Sequence, residues 1–360
     1  MSKYARDNIN AMQGYTSGEQ PQDPDTIKLN TNENPYPPSP EVTKVLQGLN
    51  ADSLRTYPQP TADPLRDALA QLHGLDRDNV VVTNGGDEAL RLAITTFVEP
   101  GCGFGMAQPS YSLYSVLADI QDAPVTRIPL DDDWQHPTDF AARLNQAGVQ
   151  LTCLVNPHAP SGTLYQEPVL SQIAQALEGV LLIDEAYADF VAPSQAYNST
   201  TLLRTFDNVL ILRTFSKGYG LAGLRLGYLL GSSDLIAPIL EKTRDSYNID
   251  HISQALGLAA ILDQEYAANT WAQVRQDRQS LQNNLSQLGL LSSPSESNFL
   301  LVQIPSMTKL NAQALYEELK RRNILVRYFD HPGLHDKLRI TVGTSAQNEK
   351  LVDELTDLLT

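Results

Sequence analysis

The chain contains very little cysteine. Only Cys102 and Cys153 occur in 360 residues, and their separation matches no metal-ligand or disulfide pattern. The sequence therefore argues against a disulfide-stapled fold and against a cysteine-based metal centre. We expect both thiols to be buried or incidental.

Long hydrophobic runs are also absent. No stretch approaches the roughly 18 apolar residues of a transmembrane helix. The N-terminal run MSKYARDNINAMQGY lacks the apolar core of a secretion signal. We therefore expect a cytoplasmic protein without a membrane-spanning segment.

Positive charge is scarce. Lysine and arginine number 26 against 42 aspartates and glutamates, which gives a formal net charge of -16. Such a field repels nucleic acids and anionic membranes, so we expect neither as a partner. It also repels anionic metabolites. A site for a phosphate or a carboxylate would therefore need a local group of arginines.

Short apolar runs alternate with helical patterns through the first two thirds of the chain. Runs of valine, leucine and isoleucine predict strands that are buried on both faces, as parallel strands are. These runs cover 80–83, 151–155, 180–183 and 209–212. Apolar residues at a helical spacing predict a helix over 87–97. The alternation predicts an α/β fold with a parallel sheet and right-handed crossovers.

The chain length predicts one large domain and one smaller domain. The polar, proline-rich segment 1–40 is interpreted as an extended arm rather than a helix. Residues 41–265 are assigned to the large domain and residues 266–360 to a small α+β domain. In the small domain we predict helices over 271–288 and 311–323 and strands over 299–303 and 338–342.

A glycine-rich segment around Cys102 resembles a dinucleotide-binding loop in composition only. Its glycines at 101, 103 and 105 have the wrong spacing, and Pro100 precedes them. No acidic residue follows a βα unit at the expected distance. We therefore predict an ordinary loop.

Polar side chains follow four predicted strands at the points where the strands end. Asn-Gly-Gly-Asp occupies 84–87, Asn-Pro-His 156–158, Asp-Glu-Ala-Tyr 184–187 and Arg-Thr-Phe-Ser-Lys 213–217. Because function in open parallel sheets lies beyond the carboxyl ends of the strands, we expect one crowded polar site at this edge.

Lys217 is the candidate nucleophile of this site. It follows an apolar strand and precedes several glycines in a segment with few charges. A desolvated lysine has a lowered pKa and can form imines with carbonyl compounds. Arg225 could clamp a phosphate nearby, since guanidinium groups match phosphate oxygens, and Ser216 adds a hydroxyl donor.

The run Ser-Lys-x4-Ala-Gly-x-Arg at 216–225 resembles the Schiff-base lysine motif of fold-type I pyridoxal-phosphate enzymes. This resemblance implies pyridoxal 5'-phosphate as cofactor, with Lys217 as the catalytic lysine. It also implies a mostly parallel central sheet sandwiched by helices, with a smaller α+β domain.

Further residues match positions that contact the cofactor in that family. Asp184 would face the protonated pyridine nitrogen and keep the cofactor an electron sink. Tyr187 would donate to the phenolic oxygen, and Tyr111 would stack on the ring. Free N–H groups of Gly86 and Asp87 at a helix N-terminus would bind the phosphate together with Arg225 and Ser216.

Other segments resemble the histidinol-phosphate aminotransferases. They are 14–18, 29–36, 55–58, 324–327 and 338–343. The resemblance implies exchange of an amino group between histidinol phosphate and 2-oxoglutarate. It places Arg327 and Arg339 at anionic substrate groups and Tyr15 near the substrate. Tyr57 would reach the cofactor phosphate and substrate of the neighbouring subunit, which implies a homodimer.

The sequence departs from the family at 156–162, where it reads Asn-Pro-His-Ala-Pro-Ser-Gly. Ala159 occupies the position of an asparagine that usually binds the phenolic oxygen of the cofactor. Either Tyr187 holds that oxygen alone, or Asn156 or His158 turns in as a substitute. Asn156 is therefore included among the candidate cofactor ligands.

Three alternatives to this function stay open from the sequence. An aromatic-amino-acid aminotransferase could use the same scaffold, because Arg339 could bind an α-carboxylate equally well. A phosphothreonine decarboxylase would need the same cofactor and phosphate-binding arginines. A non-catalytic homologue is disfavoured by the joint presence of Lys217, Asp184, Tyr187 and Arg225.

Overall fold

The structure is a computed structural model that describes residues 2–359. Its strands are β1 (Ile27–Lys28), β2 (Val80–Thr83), β3 (Gly103–Gln108), β4 (Val125–Pro129), β5 (Val149–Val155), β6 (Val180–Asp184), β7 (Val209–Thr214), β8 (Gly227–Gly231), β9 (Leu291–Ser292), β10 (Phe299–Gln303), β11 (Ile324–Leu325), β12 (Arg327–Tyr328) and β13 (Lys337–Thr341). Its α-helices are α1 (Asp7–Ala11), α2 (Pro40–Gly48), α3 (Asp63–His73), α4 (Gly85–Phe97), α5 (Leu113–Gln121), α6 (Phe140–Gln146), α7 (Glu167–Ala176), α8 (Leu202–Thr205), α9 (Ser233–Pro238), α10 (His251–Leu262), α11 (Gln264–Gln287), α12 (Ala312–Arg321) and α13 (Ser345–Leu359).

Seven strands form the central sheet in the order β2-β8-β7-β6-β5-β3-β4. Only β8 within this sheet runs antiparallel to its neighbours β2 and β7, and the other pairs are parallel. The predicted mostly parallel sheet is therefore confirmed. All four predicted strands of this region belong to it, and their carboxyl ends lie at one edge.

Helices cover both faces of the sheet. Successive residues of a strand point to opposite faces. On β6, Leu181 and Ile183 belong to one hydrophobic cluster and Leu182 belongs to another. Helix α4 packs Ala89 and Leu90 into the second cluster, so its apolar stripe meets the sheet as the helical period predicts.

Two local predictions were wrong. The glycine-rich segment predicted as a loop forms β3, because Gly103 and Gly105 let neighbouring backbone and side chains pack closely against that strand. The arm, predicted as extended, contains the short helix α1, which is held by bonds from Arg6 and Asn8 to backbone carbonyls at the end of α5. These tertiary contacts favour a turn of helix where the local composition does not.

The C-terminal part of the chain has its own sheet and core. Strands β12, β13, β10 and β9 form an antiparallel sheet in that order. Its core includes Leu281, Leu300 and Leu355, and Leu29 of the arm packs into the same core. The arm is tied down by β1, which pairs in parallel with β11. The predicted domain boundaries after residues 40 and 265 stay predictions; α11 begins at Gln264.

Two smaller observations concern membranes and thiols. Within residues 2–359, no helix combines the length and the apolar character needed to cross a bilayer. Cys153 is buried and Cys102 is half-buried, and both are free thiols.

Candidate active site

A cavity of about 680 Å³ lies at the carboxyl edge of the central sheet and extends to the C-terminal sheet. Most candidate residues from the sequence line it. They are Tyr15, Gly86, Asp87, Tyr111, Asp184, Tyr187, Ser216, Lys217, Arg225, Arg327 and Arg339. Strand ends, one helix N-terminus and the arm bring these residues together.

Lys217 lies in the turn that follows β7. Its Nζ donates a hydrogen bond of 2.7 Å to the carbonyl oxygen of Thr31, so the arm fixes the position of the amine. Burial lowers the pKa of Lys217 from its ordinary value of 10.5 to about 8, although the Glu33 carboxylate acts in the opposite direction. Part of the side chain stays open to the cavity. The amine is thus about half neutral near pH 8, where an ordinary lysine is almost fully protonated, and its neutral form can act as a nucleophile.

An anion site is formed by Gly86, Asp87, Ser216 and Arg225. The first turn of α4 leaves backbone N–H groups without helical partners, and Gly86 and Asp87 lie in this turn. Arg225 lies across it, with Nη1 3.4 Å from Ser216 Oγ and Nη2 3.2 Å from Asp87 Oδ2. This geometry suits a phosphate.

Gly85 makes the close approach of Arg225 possible. Its φ is +74°, a conformation that L side chains rarely adopt. A Cβ atom at this position would lie 2.6 Å from Arg225 Nη2. Only glycine therefore permits the guanidinium to lie beside the helix N-terminus.

Asp184 ends β6 with its carboxyl group in the cavity wall. Oδ2 accepts a hydrogen bond of 2.7 Å from the Tyr114 hydroxyl, and Oδ1 accepts one of 3.1 Å from the Ala186 N–H. Burial raises the pKa of Asp184 to about 6, against the effect of these two donors. Among residues 2–359 it forms no ion pair with a cation. A cationic group in the cavity would therefore be stabilised beside it.

Aromatic rings form a wall of the cavity. Tyr111 packs edge-on against Tyr114 and Tyr15, with ring centroids 5.5 and 5.9 Å apart. Tyr187 is buried, and its hydroxyl accepts a hydrogen bond of 2.9 Å from Asn32 Nδ2. A flat ring bound between these groups would meet an aromatic face and a hydroxyl.

Arg327 and Arg339 form a second cationic region, on the C-terminal sheet. They are direct partners across β12 and β13, and both line the cavity. Arg339 Nη2 donates 3.1 Å to the Asn30 carbonyl, while its buried Nε has no hydrogen-bond partner in the described chain. Both guanidinium groups lie over the ring of Phe329. Neither forms a salt bridge within residues 2–359.

Asn156 does not contact the cavity, so its assignment as a cofactor ligand was wrong. Its Nδ2 donates to the Tyr165 carbonyl and the Tyr197 hydroxyl, and its Oδ1 accepts from the Tyr165 N–H. The amide is fully used in holding the loop. His158 is buried and bonds to Ser161 and the Pro109 carbonyl, so it does not substitute either. Ala159 does line the cavity.

Tyr57 also lies outside the cavity of its own chain. Its side chain is 80% exposed and stacks on Tyr247, with ring centroids 4.5 Å apart. A role in its own active site is therefore excluded in this conformation. A role in a partner's site is compatible with this exposed position.

The structure adds residues that sequence reasoning did not assign. Tyr114 holds Asp184, Thr31 holds Lys217 and Asn32 holds Tyr187. Thr31 and Asn32 belong to the matched segment 29–36, which was a usable signal without a role attached. Gln108, Arg127 and His331 also line the cavity, and no motif singled them out.

The cavity offers what a phosphorylated pyridine cofactor requires. The anion site suits its phosphate, and Asp184 has a buried carboxyl that forms no ion pair within the described residues 2–359. Lys217 offers an amine whose pKa is lowered by burial to about 8. These features fit pyridoxal 5'-phosphate.

A family model for class I and II aminotransferases matches residues 24–355. The chain therefore belongs to the class I and II aminotransferases.

Within this class, the chain is similar to histidinol-phosphate aminotransferases. Histidinol-phosphate aminotransferase 1 of Trichormus variabilis is 43% identical over 360 residues, which is 100% of both chains. Histidinol-phosphate aminotransferase of Geotalea daltonii is 38% identical over 98% of this chain and 99% of the relative. The solved structure of histidinol-phosphate aminotransferase from Sinorhizobium meliloti, in complex with pyridoxal-5'-phosphate, superposes with a TM-score of 0.90 at 24% identity, covering 100% of this chain and 98% of that one. The resemblance read from the motifs is confirmed for family and fold.

Proposed function

We propose that this chain is a pyridoxal-phosphate-dependent aminotransferase that acts on histidinol phosphate. Its amino acceptor would be 2-oxoglutarate, and its products imidazole-acetol phosphate and glutamate. The observation that carries the proposal is the Arg327–Arg339 pair, a second cationic region besides the anion site, which forms no salt bridge within residues 2–359. The full-length similarity to enzymes of that name supports it. A cytoplasmic location is part of the same proposal.

The residues that would hold the cofactor divide by chemical role. The anion site would bind the phosphate, Asp184 would lie at the pyridine nitrogen, and Tyr187 would bond the phenolic oxygen. Tyr111 would cover the ring, and Lys217 would attach it covalently. When bound, the cofactor supplies an electron sink for the carbanion formed at the substrate carbon that bears the amino group.

The chain's own contribution to the reaction is positioning and proton transfer. Lys217 Nζ would take a proton from the reacting carbon and return it at the neighbouring cofactor position, since a neutral amine in the cavity can act as a general base. Arg327 and Arg339 would hold the anionic end of the substrate and so fix the reacting carbon near Nζ. Transfer of the same nitrogen to the second substrate would reuse these groups.

A comparison of amino donors tests the proposal. We expect transamination of histidinol phosphate to exceed that of phenylalanine, and we expect phosphothreonine to release no carbon dioxide.

Arg327→Gln should raise KM for histidinol phosphate about 10- to 100-fold, because a charge-assisted bond to phosphate is worth about 1.5–3 kcal/mol. The exposed Arg143, which lies outside the cavity on α6, provides the control Arg143→Gln. Preference for phenylalanine, with no effect of Arg327→Gln, would support the aromatic alternative.

The lowered pKa of Lys217 gives a pH prediction. The neutral amine is the reactive form, so the rate at which apoprotein attaches the cofactor should rise with pH. Because burial lowers the pKa, the rise should be centred near 8 rather than near 10.5. The measurement is the growth of visible absorbance after mixing at a series of pH values. A midpoint near 10.5 would contradict the assigned environment of Lys217.

We further propose that the active unit is a homodimer in which Tyr57 completes the site of the partner. The exposed, stacked position of Tyr57 outside its own cavity supports this. A two-fold interface would place the same tyrosine at both sites.

Mixing two inactive variants tests this exchange. Tyr57→Ala and Lys217→Ala homodimers should each be impaired, but a hybrid dimer would contain one site with both Lys217 and a partner Tyr57. After random subunit exchange, about a quarter of all sites should be intact, with turnover restored in proportion. Sedimentation would verify the dimer in each variant. If dimers exchange and activity does not return, Tyr57 acts within its own chain or not at all.

A further inference from the structure

Asn32 lines the cavity beside Tyr187 and belongs to a network of hydrogen bonds. Its side chain is buried, and its Nδ2 donates 2.9 Å to the Tyr187 hydroxyl. Thr341 donates from Oγ1 to Asn32 Oδ1 and accepts from the Asn32 N–H, both at 3.0 Å. Asn298 donates 2.9 Å to the Asn32 carbonyl. Four hydrogen bonds thus connect this residue of the arm to Tyr187, Asn298 and Thr341.

The backbone at Asn32 adds to this precision. Its φ is +59°, in the left-handed region, which asparagine and aspartate tolerate better than other side chains except glycine. The hydrogen bonds therefore hold Asn32 in a left-handed conformation that asparagine tolerates.

The network decides which way the Tyr187 proton points. The Thr341 hydroxyl oxygen already accepts the Asn32 N–H, and its own proton goes to Asn32 Oδ1. The Asn32 amide nitrogen faces Tyr187, so the phenol oxygen accepts this hydrogen bond. The Tyr187 proton has no acceptor in the described chain and stays available for an acceptor in the cavity.

This orientation matters because none of Asn156, His158 and Ala159 would assist Tyr187 at the phenolic oxygen of the cofactor. Ala159 lines the cavity and offers no polar group, while Asn156 and His158 make all their bonds elsewhere. The phenolic oxygen of the bound cofactor would thus depend on one side-chain donor. A change that turns the Tyr187 hydroxyl away would leave the phenolic oxygen of the cofactor without its hydrogen bond.

We propose that Asn32 is a positioning residue that directs the Tyr187 hydroxyl toward the cofactor's phenolic oxygen. This inference rests on the cofactor assignment of the proposed function and not on the identity of the amino donor. A donated bond stabilises that oxygen in its anionic form, and so favours release of the proton that it shares with the nitrogen contributed by Lys217. Loss of the bond makes that proton leave at higher pH.

The test is the pH titration of the visible absorbance of purified holoenzyme without substrate. Asn32→Asp keeps the shape and the tolerance of a positive φ. Its carboxylate would accept the proton of the Tyr187 hydroxyl, which would then no longer point toward the cofactor. We expect the midpoint to rise by about one pH unit, the effect of losing one hydrogen bond to a charged group. Tyr187→Phe should give a rise of similar size.

The double variant separates orientation from the added negative charge. In the Tyr187→Phe background, Asn32→Asp should add little, because its effect passes through the missing hydroxyl. An equal rise in both backgrounds would overturn the proposal, since a charge acting through space would explain it. Thr341→Val is a further variant that adds no charge. It removes the hydroxyl that bonds the Asn32 amide, so the amide can turn, and the midpoint should rise by a smaller amount.

Asn298→Ala is the matched control. It removes a bond to the same Asn32 residue, but at its backbone carbonyl and away from Tyr187. We expect no change of midpoint. If Asn298→Ala and Thr341→Val raise it equally, packing of the arm and not the direction of the tyrosine proton sets the midpoint, and the proposal fails. Because no amino donor is used, a failure of histidinol phosphate as substrate would leave this result readable.

Discussion

Lys217→Ala should abolish transamination, with a loss of at least about 10⁴-fold in turnover, the upper range for removal of one general base. The variant loses both the amine that attaches the cofactor and the group that moves the proton. Purified protein should also lose the visible absorbance of the attached cofactor. Steady-state assays and absorbance spectra are the measurements.

Two further variants show whether chemistry or charge is responsible. Lys217→Arg keeps a cation in the cavity but supplies no neutral amine, because arginine stays protonated. It should be as inactive as Lys217→Ala. Lys350→Ala removes an exposed lysine that pairs with Glu354 and should change neither readout. Wild-type turnover in Lys217→Ala would refute the assignment of the nucleophile.

Asp184→Asn should reduce turnover by about 10²- to 10⁴-fold. Removing one partner of a buried ion pair costs about 3–5 kcal/mol, and each 1.36 kcal/mol corresponds to tenfold in rate. Asparagine fits the space but cannot neutralise a protonated pyridine nitrogen. Stopped-flow measurement of each half-reaction would show whether the proton-transfer step is the one that slows.

The same variant should make the apoprotein more stable at pH 8. The folded pKa of Asp184, about 6, lies above the ordinary value of 3.8, so the folded state binds this proton more tightly than the unfolded state. The apoprotein therefore loses stability as pH rises from about 4 to 6. Asparagine avoids this loss, and the free energy of unfolding at pH 8 should rise by up to about 3 kcal/mol.

Asp189 provides the matched control for Asp184. It is also buried with a pKa raised to about 6 by burial, but it pairs with Arg213 at 3.0 Å and does not line the cavity. Asp189→Asn should leave turnover and the cofactor spectrum in place, because Asp189 does not line the cavity. Equal loss of turnover in the two variants would contradict the special position of Asp184.

Much of the central sheet and the main site could be predicted from the sequence. Buried parallel strands have continuous apolar sequences, so the strands at 80–83 and 209–212 can be predicted from a few adjacent residues. The edge at which Asp184 and Lys217 meet follows from the direction of parallel strands alone. The glycine-rich β3 carries no such signal, because its packing depends on what neighbouring elements place against it.

The sequence by itself predicted the α/β class and the candidate residues Lys217 and Asp184, since each depends on short patterns of a few adjacent residues. Only the tertiary structure decided which side chains face the cavity. Asn156 directly follows β5, but its side-chain amide forms hydrogen bonds with Tyr165 and Tyr197 instead of facing the cavity. Asn32 reaches Tyr187 across 155 positions of the chain. The Asn32–Tyr187 contact depends on how the arm packs between two sheets, and no local pattern encodes the direction of either amide.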